Sequence, residues 1–269
     1  MKDFGKKIIR LIDGLIDKSI LLVCIVLFLL GSYGLYDSYM VYQQATDNSI
    51  LKYKPGYETD DETDKEIAGN MVAWLTVDDT NIDYPVMQGE DNNEYLNKDP
   101  FGNYALSGSI FLDRRNNPEF KDYYSLIYGH HMEHGMMFGA IDEYLNEDYF
   151  NSHRTGSLVV GKKIYKIRIF AVLECEATEE SIFAPTENDN TLNYIKQHAL
   201  FMDDTALPKD NEKLLGLSTC KYPDTVDRTL IFGALDLIQR YCILSVFCIK
   251  HLFQLFLSQR LNLSSVSYI

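Results

Sequence analysis

The sequence predicts an all-β fold with helical insertions, preceded by an N-terminal membrane-spanning helix. Three observations carry that prediction. About eight short runs of β-forming residues lie between residues 74 and 235, each bounded by turn formers. An uncharged apolar stretch of 18 residues lies near the N-terminus. An apolar fraction of 46% over 269 residues is enough to bury a core.

The first element is that apolar stretch, residues 19–36 (SILLVCIVLFLLGSYGLY). At the rise of an α-helix it spans about 27 Å, sufficient for a slightly thinned bilayer. A cleaved signal peptide is the competing reading. The stretch exceeds the usual apolar core of such peptides, roughly 7 to 15 residues, and no small-x-small cleavage site follows Tyr36. Lys2, Lys6, Lys7, Arg10 and Lys18 precede it and the sequence beyond turns acidic, so residues 1–18 are expected in the cytoplasm and the body outside the cell. Residues 37–70 read as a weakly helical, acidic linker, with ETDDETDKE a solvated run and Lys54-Pro55-Gly56 a break.

The body, residues 71–235, holds the β runs WLTV, IDYPVM, SIFLD, YSLIY, SLVV, KIYKIRIFAVLEC, KLLGLST and RTLIFGAL. Their spacing indicates a barrel or sandwich rather than alternating βαβ units. Helical insertions are expected over residues 136–149 and 191–201; in the second, Leu192, Ile195 and Ala199 share a face and Asn190 or Thr191 can cap the start. The tail, residues 236–269, is foreign in composition. It is apolar from Tyr241 to Leu257 but carries Lys250 and His251 at its centre, where a charge costs about 2.5 to 3.5 kcal/mol to insert. A membrane-surface segment, a second membrane helix and a terminus altered by a frame change all remain open for it.

Charge narrows the function classes. The chain carries −14 overall. Residues 1–18 hold five Lys/Arg against three Asp/Glu and residues 236–269 three against one, which leaves about −18 between them. Such a body disfavours nucleic acid, whose binding needs clustered Lys/Arg. Of the five cysteines only Cys175 and Cys220 fall in the body, too few for a disulfide-stapled domain. They form either one bond or at least one free thiol kept for chemistry.

Two strand exits carry the chemistry. In LSTC, Cys220 leaves a β run into a polar loop, and Arg228 opens the next run, so adjacent strands would bring both to one sheet edge. A nearby cation favours the thiolate that a cysteine nucleophile requires. In LIYGHHM a β run ends at a glycine that presents His130, placed to exchange protons with a group on a neighbouring strand. His131, His134 and His153 are the less well placed candidates. A metal site at His130, His131 and His134 is the bland alternative, disfavoured because no C-x-x-C partner accompanies them. Neither a metal nor a cofactor is expected.

These runs, YGHHM followed by MMFGAIDEY, LSTC, and an arginine opening the last strand, resemble the sortases, most closely class B. WLTVDDTNIDYPVMQGEDNNEYLN and SGSIFLDRRNN are similar to that class's entry strands, and residues 191–201 to its extra helix, so the resemblance covers roughly residues 71–235. It implies an eight-stranded β-barrel of the sortase type. It implies too a transpeptidase that cleaves a C-terminal sorting signal, NPxTx or xPxTG in type, in secreted proteins. Cys220 would attack the Thr carbonyl to give a thioacyl enzyme, His130 would serve as acid and base, and Arg228 would stabilise the oxyanion. Ser218 and Thr219 would contact substrate, and a peptidoglycan cross-bridge or stem-peptide amine would accept the acyl group. Asp224, four residues past the cysteine, could orient His130, although a loop Asp after Pro is commonly a turn former. Two departures stand out. Gly216 replaces the Thr that often opens the T-L-x-T-C run, and Asp99-Pro100-Phe101 is similar to the lid of pilus-building sortases but is read as coincidence, since it sits inside the class B entry pattern. The alternatives are a pilin-polymerising sortase and, of another kind, a non-catalytic membrane-tethered domain binding peptide or haem.

Overall fold

The computed structural model describes residues 2–45, 48–55, 69–186, 190–220 and 226–238. A single helix, α1 (Lys2–Ala45), contains the whole apolar stretch. Among the described residues it is the one helix long and apolar enough to cross a membrane, and its apolar window has mean hydropathy 2.3 and is unburied. It continues through residues 37–45, for which the sequence promised only weak periodicity. No Gly or Pro interrupts those residues, and a helix already nucleated extends at little cost.

Among the described residues nine strands follow: β1 (Met71–Val77), β2 (Asp83–Met87), β3 (Ile110–Leu112), β4 (Tyr124–Tyr128), β5 (Thr155–Val160), β6 (Lys163–Glu176), β7 (Phe201–Met202), β8 (Lys213–Cys220) and β9 (Asp227–Ile238). The order is β5-β1-β2-β3-β4-β8-β9-β6, and β5 also pairs with β6, which closes eight strands into a barrel. Closure removes the free edges an open sheet would expose. β7, a two-residue strand, is appended to β6 and is absent from the sequence expectation. Most pairs are antiparallel; β2–β3 and β4–β8 are parallel. Val160 pairs with Lys163 across a two-residue turn in which Gly161 has φ +55, the left-handed backbone that tight hairpins need. β9 runs three residues past the boundary expected at 235, because the long β6 offers Ile164, Tyr165 and Lys166 as partners for Ile238, Leu237 and Asp236.

Alternation divides the apolar side chains into two layers. Leu75, Val86, Ile110, Ile127, Leu158, Ile167, Leu217 and Ile231 belong to one core cluster, joined by Phe138, Tyr144 and Phe150 from the insertion after β4. Tyr124, Leu126, Phe170, Leu214, Leu230 and Phe232 form a second, with Ile182 of α3 (Glu180–Phe183) and Ile195 of α4 (Thr191–His198). Both faces of β4 and β8 are therefore buried, which explains their near-continuous apolar sequences.

The insertion expected at 136–149 is a 3-10 helix, Gly139–Leu145, and then α2 (Glu147–Ser152), whose N-cap Asn146 accepts from the amides of Asp148 and Tyr149. The cap expected of Asn190 or Thr191 on α4 does not form. Asn190 makes no side-chain cap bond, and the Thr191 hydroxyl, buried, donates instead to the Ser181 carbonyl at 2.7 Å and ties α4 to α3. Gly216 has a packing cause: a Cβ there would come within 2.7 Å of the Tyr124 hydroxyl and 3.1 Å of Leu126 Cδ1. The tail from residue 239, and the loop 221–225 with Asp224, lie outside the described residues.

Candidate active site

The site forms where three strand ends meet. β4 and β8 run parallel with Tyr128 opposite Ser218, and the Gly129 amide donates to the Ser218 carbonyl at 3.1 Å, extending the ladder by one bond. His130 follows at once, so its backbone leaves the sheet beside the last residues of β8. Gly129 is required there: a Cβ would meet Ile110 Cδ1 at 2.5 Å and Phe138 Cγ at 2.6 Å. On the other flank β8 pairs antiparallel with β9, and the final pair is Cys220 opposite Arg228.

Tyr128, Gly129, His130, Ser218, Thr219 and Arg228 line one cleft of about 380 Å³, together with Asn92, Leu96, Phe111, Ala177 and Phe183. Cys220 reaches its edge through the backbone pairing. Four of the residues proposed from sequence are thus on the cleft wall, Cys220 is beside it, and Asp224 is outside the described residues.

The His130 ring is fixed by a group that sequence reasoning missed. Nε2 lies 2.7 Å from the Leu96 carbonyl oxygen. A carbonyl only accepts, so Nε2 carries a hydrogen and Nδ1 is left with the free lone pair. Leu96 closes a short 3-10 helix, Glu94–Leu96, whose Tyr95 is buried and whose Tyr95 carbonyl accepts from the Ser109 amide at 3.0 Å. Gly108, at φ +59, lets that chain approach: a Cβ would come within 2.5 Å of the Leu96 oxygen and 2.6 Å of the Tyr95 oxygen. A backbone carbonyl has no side-chain signature. The glycine in SGS was the available signal, since an isolated glycine in a β run marks close backbone approach.

The other histidines have separate partners. His131 Nε2 lies 2.6 Å from Asp142 Oδ2, and His134, in left-handed backbone at φ +59, faces the ring of Tyr42 at 6.0 Å. Cys175 pairs with Arg228 from the opposite side of β9, so Cys175, Arg228 and Cys220 form one row across three strands. Two strand spacings are roughly 9 to 10 Å, beyond the roughly 7 Å that a disulfide tolerates, so the Cys175–Cys220 bond is not available. Burial pushes the Cys175 thiol up to about 12, with Glu179 adding to the rise and Arg228 opposing it. It is thus protonated and unreactive. Asp99, Pro100 and Phe101 line a different pocket, with Ile50 and Pro85, and Phe101 packs edge-on against Tyr53 at 5.7 Å.

The Ser218, Thr219 and Thr229 hydroxyls are buried and have no hydrogen-bond partner among the described residues. Of these, Ser218 and Thr219 are on the cleft wall, where a bound peptide could satisfy them.

Residues 75–236 match the Sortase domain family. Sortase B of Listeria monocytogenes is 31% identical over 229 residues, 78% of this chain and 91% of that protein. A Streptococcus pyogenes class B sortase involved in pilus biogenesis is similar in structure at a TM-score of 0.58 and 39% identity, over 63% of this chain and 94% of its own. Sortase B of Clostridium perfringens has a TM-score of 0.58 and 32% identity, over 64% of this chain and 97% of its own. The chain belongs to the sortase family, in class B, and is therefore a cysteine transpeptidase.

Proposed function

We propose that the chain cleaves a C-terminal sorting signal of the NPxTx or xPxTG type in a secreted protein and joins the new carboxyl end to a peptidoglycan amine. The observation that supports this most is the meeting of β4, β8 and β9 at one cleft, which brings His130, Arg228 and the end of β8 together. Cys220, as thiolate, attacks the Thr carbonyl carbon. The oxyanion of the tetrahedral intermediate is met by the Arg228 guanidinium, whose planar fork suits a fixed oxygen. Collapse breaks the peptide C–N bond, and imidazolium Nδ1–H of His130 gives its proton to the departing amine. Neutral His130 then takes a proton from the incoming amine as it attacks the thioester, and Cys220 leaves as thiolate. The Leu96 carbonyl keeps Nε2–H in place through both halves. Asp224 could add a further orienting contact from the loop that follows Cys220.

In this reading α1 anchors the enzyme with residues 1–18 in the cytoplasm and the barrel outside, where secreted substrates pass. A second reading, joining of pilin subunits, is favoured by one observation, the 39% identity to a class B sortase involved in pilus biogenesis.

One experiment tests both. The full chain in detergent is incubated with xPxTx peptides and either a peptidoglycan-derived amine or a pilin bearing its lysine, and products are read by mass spectrometry. The wall reading requires an acyl–peptidoglycan product and loss of turnover and thioacyl adduct in Cys220→Ala. His130→Ala should lose transfer while His131→Ala keeps most of it. Product on pilin alone would favour the second reading, and unchanged turnover in Cys220→Ala would sink both.

A further inference from the structure

Asp113, one residue past β3, is fully buried at 0% exposure. A carboxylate so placed must be satisfied on both oxygens. Oδ1 accepts from the Arg115 amide and from Arg115 Nε, each at 2.9 Å. Oδ2 accepts from Arg115 Nη2 at 2.9 Å, Asn92 Nδ2 at 3.0 Å and the Tyr128 hydroxyl at 2.9 Å. Arg115 Nη2 donates in addition to the carbonyl of Phe183, the last residue of α3. Asn92, Tyr128 and Phe183 all line the cleft. The Tyr128 ring stacks on Phe183 with 6.5 Å between centroids and 13° between planes.

These three wall residues come from separate stretches of chain: a loop after β2, the end of β4, and a four-residue helix. A helix as short as α3 does not hold itself in place. Ion pairs in such surroundings add little stability compared with apolar residues of equal volume, so what this one supplies is direction. Its bidentate fork sets where each wall residue points. His130 is held apart from it, by Leu96.

We infer that the ion pair of buried Asp113 with partly exposed Arg115 is the positioning device for the peptide-binding walls of the cleft, governing capture of the sorting peptide rather than acyl transfer. This rests on the reading of the cleft given under Proposed function. Its hydrogen bonds to the cleft wall run to Asn92, to Tyr128 and to Phe183 of α3, and it acts through them.

The test uses the full chain in detergent with Asp113→Asn and Arg115→Lys, the second keeping the charge but losing the fork. For an xPxTx peptide, KM should rise about tenfold with kcat within about twofold of wild type, equally for hydrolysis and for amine transfer. Hydrogen exchange at the Phe183 and Ala184 amides should quicken by about tenfold while the Leu215 and Phe232 amides keep their wild-type rates. A fall in kcat at unchanged KM, or unaltered exchange at Phe183 and Ala184, would overturn the inference. Should Asp113→Asn lose protection throughout the barrel, Arg115→Lys decides. Failure of the underlying reading looks different: the wild type itself cleaves no such peptide, or Cys220→Ala still does. The exchange measurement then upholds or overturns the positioning of α3 without any turnover.

Discussion

Gly216 and Tyr124 are fitted to each other. The Tyr124 hydroxyl is buried without a hydrogen-bond partner among the described residues, and a Cβ on residue 216 would press on it at 2.7 Å. An unpartnered buried hydroxyl costs about 1 to 3 kcal/mol, so Tyr124→Phe should stabilise the fold or leave it unchanged. Gly216→Thr should destabilise by about 1 to 3 kcal/mol through overpacking, and less in the Tyr124→Phe background; urea unfolding of the four proteins measures the coupling. Additive effects would mean that the two positions are independent. Asp113 gives a pH-dependent counterpart. Burial raises its pKa, but hydrogen bonds from Arg115, Asn92 and Tyr128 outweigh burial and hold it below the ordinary carboxylate range. A depressed folded pKa contributes stability above the unfolded value, near about 3.9, and loses it as pH falls through the folded value. The stability difference between wild type and Asp113→Asn should therefore be largest at neutral pH and narrow below about pH 4. A difference that held constant into acid would mean that the charge of Asp113 is not what matters. At this scale Cys220, His130 and Arg228 were legible as candidates because they stand at strand ends, His130 directly after a glycine. Leu96 stayed hidden because its part is played by a backbone oxygen, and Asp113 because its partners lie at residues 92, 115 and 128.

Among the elements, the 3-10 helix Asn48–Tyr53 after α1 belongs to the barrel rather than to a free linker. Lys54 Nζ lies 2.8 Å from both oxygens of Asp83, and Oδ1 also accepts from Trp74 Nε1 and the Thr76 hydroxyl, each at 2.8 Å. Side chains in the ion pair are 30% and 31% exposed, so its own contribution is below about 1 kcal/mol. Tyr53 against Phe101 and Ile50 in the adjoining pocket add apolar burial. A chain beginning at residue 69 should thus be less stable than one beginning at residue 48, by about 1 to 3 kcal/mol. Trp74 is the sole tryptophan, so its emission should shift to longer wavelength as Asp83 loses Lys54 and gains water. Equal unfolding midpoints and unchanged emission would show that the segment contributes nothing. The eight barrel strands were legible because their β-forming runs and the turn residues between them are local properties. β7 was not, since two residues carry no period, and neither was strand order. The parallel β4–β8 contact joins segments 85 or more residues apart and is chosen by packing on both faces rather than by any local signal.

For the whole molecule, the decisive asymmetry is charge against the membrane. α1 has 44 residues and at 1.5 Å per residue is about 66 Å long, roughly twice the hydrocarbon thickness of a bilayer. Its uncharged part is residues 19–36, so the helix projects on the side of the barrel before the chain reaches β1. Tyr36 ends the uncharged part, and Tyr39 and Tyr42 fall on the projecting stretch, where aromatic residues sit well at an interface. Tyr42 donates to Glu133 at 3.2 Å, close to the loop that follows His130. The body, residues 71–235, carries −13 and would be repelled by anionic headgroups, from which the helical extension would hold it clear. In the proposed topology the five Lys/Arg of residues 1–18 are what would set the direction of insertion. An epitope tag at the N-terminus should be protected from added protease in intact spheroplasts, whereas a tag in the exposed Gly161-Lys162 turn should be cleaved. Replacing Lys2, Lys6, Lys7 and Arg10 by Gln should weaken that bias and give a mixed population. Protection of the turn tag in the wild type would place the barrel in the cytoplasm, away from any wall amine, and the wall-anchoring reading would have to be abandoned.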